Sequence, residues 1–324
     1  MSAVNPSADR TYTPGRGLPL GRPVTSGDDP VSTQVRAEFA QSREPNTSLI
    51  PYPSVPAEPV RPRVGKHLLS VLARRLSERD FEVLRLVAEH RFLTSHQIQH
   101  FCFIDHQSAA SASRTTRRVL ARLQRDGLLR ALDRRVGGVR AGSDATIWRL
   151  APAGLRLVYG DAKRRRNEHP SDRFLTHHLA VADVHVLLRQ HARIEPVEEI
   201  EVEVEPASWR KYQGPAGELR WLQPDLYAEI STADFTDLYF IEVDLGTESI
   251  PTLVKKCQQY EEYRRAGVEQ TKRGTFPLVL WLFVDHGRVA KLQAAIERSR
   301  SLTAAMYRFA TPETLTQVLA GGVS

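Results

Sequence analysis

Apolar side chains recur every three or four positions from residue 77 onward, which is the spacing of amphipathic helices. Ser77, followed three residues later by Asp80, forms a capping-box pattern and predicts the start of the first helix. The apolar face of that helix comprises Phe81, Val83, Leu84, Val87 and Ala88. The pattern therefore predicts a helix that packs one face against a core.

Two further helices are predicted after this one. A short helix begins near Thr94 and buries Ile98 and Phe101, and a longer helix runs from Ser111 to Asp126. The longer helix carries its arginines roughly opposite its apolar sector: Arg114, Arg117, Arg118 and Arg125. Arginines without an acidic partner four positions away repel one another unless phosphates lie nearby. This helix is therefore the candidate contact with a nucleic acid.

Two short strand patterns, LLRAL and TIWRL, flank a basic, glycine-rich tip after the third helix. The tip supplies three more candidate DNA contacts, namely Arg134, Arg135 and Arg140. Three helices followed by a basic hairpin predict a winged helix-turn-helix domain over residues 65–160. Its third helix would enter the major groove of double-stranded DNA. A winged helix that binds a protein partner is the alternative.

From residue 172 the predicted elements follow the order helix, three strands, helix and strand. The helices span 172–192 and 249–265, and the strands span 197–204, 219–230, 238–244 and 277–284. A flanking helix at 288–298 and a short strand at 306–309 follow. This αβββαβ order predicts a second domain over residues 172–324 and a chain of the α+β or α/β class. Trp209 and Trp221 are assigned to packing in the core or in a hairpin rather than to base stacking.

Composition distinguishes the flanking segments from these two domains. Residues 1–64 hold 11 of the 20 prolines and are predicted to be a disordered tail, and residues 161–171 are predicted to be a basic linker. Residues 61–170 hold 23 Lys and Arg against 10 Asp and Glu, which indicates a polyanion contact in the first domain. Two widely separated cysteines and short apolar runs lead us to expect a cytoplasmic protein without membrane contact.

Three carboxylates fall within or at the ends of the predicted strands. Asp225 follows Pro224, and Glu242 and Asp244 lie two positions apart, so the latter two point to one face of their strand. Clustered carboxylates repel one another, and their hard oxygen atoms suit Mg²⁺ or Mn²⁺. The sequence therefore predicts that a divalent cation, Mg²⁺ or Mn²⁺, is held by Asp225, Glu242 and Asp244.

This arrangement resembles the PD-(D/E)xK nuclease superfamily, in which Pro-Asp and Glu-x-Lys on adjacent strands hold Mg²⁺ and activate water against a phosphodiester. The resemblance implies a PD-(D/E)xK nuclease-like domain with catalytic roles for Asp225, Glu242 and Asp244. Asp244 stands where the superfamily has its lysine. In some branches the lysine lies on the following helix, which makes Lys256 the candidate and Lys255 its alternative.

Two further features of the resemblance lie on the helices of the second domain. Gln259 and Tyr263 match the Q-x-x-x-Y signature of RecB-like members. In related nucleases a histidine on the first helix of the domain reaches the metal ion. His178 is the candidate metal ligand because it shares a helix face with Leu175 and Ala182, and its neighbour His177 is the alternative.

A more specific resemblance combines the basic winged helix, an H-x-L-x-x-x-D helix pattern beginning at His177, and the sequence EVDLGTE at residues 242–248. Together these features resemble the replication-relaxation family of plasmid and mobile-element proteins. The helix pattern falls on His177, so the choice between His177 and His178 stays open.

The family resemblance implies a DNA-binding protein that acts in plasmid replication or DNA relaxation. One alternative is metal-dependent nicking, and the other is a non-catalytic accessory factor or transcription regulator. The expected partners are double-stranded DNA and, as candidates, replication or conjugation proteins. The sequence leaves the oligomeric state open, with a dimer among the options.

Overall fold

The computed structural model describes residues 65–132, 146–160, 170–194 and 197–321. The predicted tail at 1–64, Arg134, Arg135 and Arg140 at the hairpin tip, and linker residues 161–169 lie outside the described residues. All described residues belong to one unit, residues 62–324. Among them, no helix is both long enough and apolar enough to cross a membrane.

The described residues between 66 and 159 form a helical module. Its elements are α1 (Lys66–Arg75), α2 (Glu78–His90), β1 (Leu93–Thr94), α3 (Ser95–Cys102), α4 (Ala109–Arg125), β2 (Leu129–Ala131), β3 (Ile147–Leu150) and α5 (Pro152–Tyr159). The strands pair antiparallel in the order β1-β3-β2. The three predicted helices correspond to α2, α3 and α4, and the two predicted hairpin strands correspond to β2 and β3.

The predicted capping box at the start of α2 is confirmed. The Ser77 hydroxyl accepts a hydrogen bond from the Asp80 backbone N–H, and the Asp80 carboxylate accepts one from the Ser77 backbone N–H. Arg122 of α4 also binds the Asp80 carboxylate, so the cap joins the two helices. Helix α4 begins two residues earlier than the sequence predicts, because the Ser108 side chain caps it.

Residues 172–319 form a sheet module. Its elements are α6 (Asp172–Ile194), β4 (Glu199–Val204), β5 (Arg210–Gln213), β6 (Leu219–Leu222), β7 (Leu226–Ser231), β8 (Thr236–Asp244), α7 (Ile250–Arg265), α8 (Val268–Arg273), β9 (Leu278–Phe283), α9 (His286–Glu297), β10 (Tyr307–Ala310) and α10 (Leu315–Leu319). The main sheet has the order β10-β9-β8-β7-β4. Strands β8, β9 and β10 are parallel, whereas β4, β7 and β8 pair antiparallel.

The predicted strand at 219–230 is two strands in the structure. Strand β6 ends at Leu222 and β7 begins at Leu226, with Pro224 between them. Proline lacks the N–H that a continuous ladder needs. Strand β6 pairs with β5, whereas β7 pairs with β4 and β8. The sequence prediction missed β5 because its residues, RKYQ, are mostly polar.

Helices cover both faces of the main sheet. On one face α6 packs against Leu226 and Ile241, and on the other face α7 packs against Phe240. The sequence predicts that α6 is an amphipathic helix with one buried face, but the structure buries this helix on two sides. Val181, Val184 and Leu188 face the sheet, while Ala182 and Val186 belong to the core of the helical module.

Candidate functional site

The three carboxylates lie at one end of the main sheet, where β8 ends at Asp244 and β7 begins just after Asp225. A cavity of about 670 Å³ opens against this end, and its lining includes His177, Asp225, Asp244 and Lys256. Glu242 contacts α7, on the opposite face of the sheet from Ile241. The predicted alternation of side chains along β8 is therefore confirmed.

Glu242 is enclosed by side chains of α7 and is 1% exposed. The Lys256 ammonium donates to Oε2 and the Tyr260 hydroxyl donates to Oε1, each over 2.5 Å. The two donors are four positions apart and therefore share one face of the helix. Burial raises the pKa of Glu242 to about 7, because removal from water disfavours the carboxylate more than Lys256 stabilises it. The site thus contains a carboxyl group that titrates near neutral pH.

Lys256 is the predicted lysine that reaches the carboxylates, whereas Lys255 is exposed to solvent. Burial alone lowers the pKa of Lys256, but attraction to Glu242 and Asp225 outweighs burial and the net pKa lies above its usual value. Lys256 therefore keeps its positive charge at the wall of the cavity.

Asp225 is held by a histidine and by the neighbouring strand. His177 Nε2 lies 2.9 Å from Oδ1, and the Val243 backbone N–H donates to Oδ2 over 2.8 Å. Burial raises the pKa of Asp225, but the contacts with His177 and Lys256 outweigh burial and leave the net pKa below its usual value. The hydrogen bond to Asp225 in turn raises the pKa of His177. The pair thus favours an ionised carboxylate next to a protonated imidazole.

Asp244 is paired with Arg288 of α9. The Arg288 Nε donates to the Asp244 carboxylate, and its Nη2 donates to the Glu248 carbonyl over 2.8 Å. Gly246 lies between these two contacts with a φ of +79°, in the left-handed region that glycine adopts without steric cost. Arg288 therefore fixes both ends of the loop at residues 244–248. The sequence prediction missed Arg288 because it lies 44 positions from Asp244.

Each carboxylate therefore has a cationic side chain as its partner. The repulsion that the sequence predicts between the carboxylates is balanced by His177, Lys256 and Arg288. Within the ranges that the structure describes, no three His, Cys, Asp or Glu side chains are grouped so that they could hold a metal ion. Glu242 and Asp225 are the two carboxylates whose attraction does most to raise the pKa of Lys256.

The helix-face argument for His178 correctly places this side chain in the interior, but its ionic partner there is Glu205 rather than Asp225, Glu242 or Asp244. The His178 Nε2 lies 3.5 Å from Glu205 Oε1, and the ring packs edge-on against Phe174. Burial lowers the pKa of His178 to about 4. His177, rather than His178, is thus the histidine that the structure places beside Asp225.

The Q-x-x-x-Y pair on α7 lies apart from the carboxylates. Gln259 is exposed, and the Tyr263 hydroxyl donates to Glu269 over 2.6 Å. Tyr260, which the sequence prediction did not select, is the tyrosine that reaches Glu242. Helical spacing from Lys256 is the signal that identifies Tyr260, because positions four apart meet the same strand.

The arginine face of α4 is exposed, as the sequence predicts. On the other side of this helix Leu120 and Leu123 are buried. Arg122 turns toward α2 and pairs with Asp80. The exposed set consists of Arg114, Arg117, Arg118 and Arg125.

Comparison with known proteins gives one match. A protein-family model described as replication-relaxation matches residues 84–279, which is more than half of the chain. The matched segment begins in α2 and ends in β9, so it includes α4, His177 and all three carboxylates. Arg288 follows it. No curated protein and no solved structure matches the chain.

Proposed function

The chain belongs to the replication-relaxation family, and from this premise we propose that it is a double-stranded DNA-binding protein of a plasmid or other mobile element. The family suggests a role in the replication or relaxation of such an element. The exposed arginine face of α4 is the observation that carries DNA binding. We interpret the helical module as a winged helix-turn-helix in which α4 is the recognition helix.

The charge and shape of α4 support this interpretation. Its apolar side is fixed by burial of Leu120 and Leu123, so the arginines on the other side are held along one exposed line. Phosphate contacts by arginine release counterions, which gives affinity that depends steeply on salt. Helix α4 begins at a cap formed by Ser108. The backbone N–H groups at such a helix N-terminus can donate hydrogen bonds to a phosphate.

Replacing both Arg118 and Arg125 with alanine is expected to weaken duplex binding about tenfold or more at moderate salt. The plot of log affinity against log salt should become less steep by about 2, since each lost phosphate contact reduces the slope by about 0.9. Fluorescence anisotropy with a labelled duplex at several salt concentrations measures both quantities. Arg298→Ala with Arg300→Ala removes the same charge from exposed positions of the sheet module and should leave the slope unchanged. Equal slopes for both double variants would contradict the assignment of α4.

A second function, metal-dependent hydrolysis of a DNA phosphodiester, is favoured by the contact of Lys256 with Glu242 beside Asp225. Mg²⁺ commonly binds one or two protein carboxylates together with phosphates and waters, so Asp225 and Glu242 fit this requirement. Asp244 contacts Arg288 of α9 rather than Lys256, and His178 lies beside Glu205 rather than beside Asp225. A bound Mg²⁺ or Mn²⁺ would supply an activated water. The Lys256 ammonium would stabilise negative charge on the phosphate.

The adjacent lysines of α7 provide a matched test of hydrolysis. Lys256→Met is expected to reduce Mg²⁺-dependent nicking of supercoiled plasmid by about 100-fold or more, because it removes the charge at the cavity wall. Lys255→Met removes the same charge from an exposed position and should nick at the wild-type rate. Agarose gels that separate supercoiled from open-circular plasmid give the rates. If the wild-type protein leaves the plasmid supercoiled in both Mg²⁺ and Mn²⁺, the hydrolysis proposal is refuted. Non-catalytic DNA binding then remains as the proposed function.

A further inference from the structure

The ribbon formed by β5 and β6 presents an aromatic and basic face to solvent. In this antiparallel pair Lys211 lies opposite Trp221 and Gln213 lies opposite Leu219, so the four side chains share one face. Trp221, which the sequence analysis assigns to packing, is 51% exposed in the structure, and Leu219 is 56% exposed. The Lys211 ammonium lies 5.9 Å from the centre of the Trp221 ring, and Trp209 meets the same ring edge-on. An exposed tryptophan with a neighbouring cation is thus displayed on a defined surface.

The opposite face of the ribbon is anchored in the core. Tyr212 and Leu222 are buried, and the Tyr212 hydroxyl donates to Glu262 of α7 over 3.1 Å. Arg220, next to Trp221, binds the same carboxylate. These contacts hold the backbone of the ribbon in place, so the position of Trp221 is built into the fold.

The ribbon leads directly into the carboxylate site. Trp221 and Asp225 are four positions apart, which spans at most about 14 Å of extended chain. The buried Ser208 hydroxyl donates to the Pro224 carbonyl over 2.7 Å and so ties the base of the ribbon to the residue before Asp225. An aromatic surface therefore stands within one or two nucleotide lengths of the cavity.

We propose that Trp221, with Trp209 and Lys211 beside it, stacks on unpaired bases of a single-stranded DNA segment that passes the carboxylate site. The inference rests on the proposed function and adds the form of DNA that the sheet module contacts. Every base has a flat face that an exposed indole can stack on, and a nearby cation complements the phosphate. Nicking or unwinding of a duplex exposes such bases.

The test uses the full chain and a fluorescein-labelled oligothymidylate of about 15 nucleotides, which spans a typical single-strand site. Trp221→Leu is expected to weaken binding roughly tenfold, because it keeps an apolar side chain but removes the aromatic face. Trp221→Phe keeps a ring and should retain most of the affinity. Phe235→Leu is the matched control, since Phe235 is 59% exposed on the β7–β8 turn and should bind as the wild type does.

Duplex binding measured in parallel separates this inference from the function on which it rests. Wild-type affinity of Trp221→Leu for the oligothymidylate, with duplex binding intact, would overturn base stacking and leave duplex binding standing. Failure of the wild type to bind either nucleic acid would overturn both. Sedimentation equilibrium adds one more outcome. A wild-type dimer that Trp221→Leu converts to a monomer would show that this face joins two copies of the chain, and would overturn the proposal.

Discussion

Replacement of Arg288 with alanine is expected to lower the free energy of unfolding by about 3 kcal/mol or more. The Asp244 side chain is 2% exposed and the Arg288 side chain 17%, so the ion pair lies in the interior. Removing one partner of a buried pair leaves the other charge without compensation and out of water. The variant also loses the hydrogen bond to the Glu248 carbonyl, which releases the loop at residues 244–248.

Urea denaturation followed by circular dichroism measures this loss, with two comparisons. Arg298→Ala changes an exposed arginine at the end of the same helix and should alter stability by less than about 0.5 kcal/mol. Combining Arg288→Ala with Asp244→Asn removes both charges, so the double variant should be less destabilised than the two single variants added together. Simple additivity would show that the two side chains do not interact.

The second large expected effect is the contribution of Glu242 to the pH dependence of stability. The folded-state pKa of about 7 lies above the usual value of 4.5, so the folded protein holds this proton over a range in which the unfolded chain has lost it. The stabilisation is fully present at low pH and is lost as the pH rises from about 4.5 through about 7. The shift corresponds to about 3 kcal/mol.

Two groups beside Glu242 also contribute to the pH dependence. His177 also has a raised pKa in the folded protein. Its contribution to the free energy of unfolding is therefore lost as the pH rises, as is that of Glu242. Asp225 has a lowered pKa, so its contribution is present above its usual value of 3.8 and is lost only in more acidic solution. The buried histidines His90, His178 and His185 act in the opposite direction below their usual pKa of 6.5, because burial lowers their pKa values and stability then rises with pH. The contribution of Glu242 is therefore obtained as the difference between the wild type and a variant that lacks this carboxyl group.

The free energy of unfolding of the wild type minus that of Glu242→Gln should fall by about 3 kcal/mol as the pH rises from about 4.5 through about 7, because the amide keeps the shape of the side chain but does not titrate. Urea denaturation of the wild type and of the variant at a series of pH values gives the two profiles. His177→Gln should remove a smaller part of the slope and leaves Glu242 in place. A wild-type slope that persists unchanged in Glu242→Gln would assign the titration to another group.

Local patterns in the sequence predict much of this architecture. Alternation along β8 correctly predicts that Glu242 and Asp244 share one face of the strand. The three-residue spacing of Ser77 and Asp80 correctly predicts the capping box of α2. Both features depend only on residues that are close in sequence. The break between β6 and β7 was also present in the sequence as Pro224. The prediction passed over it because the apolar residues on either side resemble a single strand.

The partners of the carboxylates depend on how distant elements pack, which local patterns do not contain. Arg288 reaches Asp244 only because β9 lies parallel to β8 and places α9 beside it. The choice between His177 and His178 depends on how α6 packs against the sheet, which brings His177 to Asp225. The inward position of His178 was predictable, but its neighbour Glu205 comes from the loop after β4 and was not.

Helix α6 is shared by both modules, so we expect the two modules to unfold as a single cooperative unit. Its 23 residues extend over about 35 Å and contribute apolar side chains to two cores. Gln97 of α3 donates to the Leu179 carbonyl and to the Asp183 carboxylate over 2.8 and 2.6 Å, so polar contacts reinforce this junction. A protein cut between the modules would expose one side of α6 to water. A displacement of α3 would likewise be transmitted through these contacts to α6, the helix that carries His177.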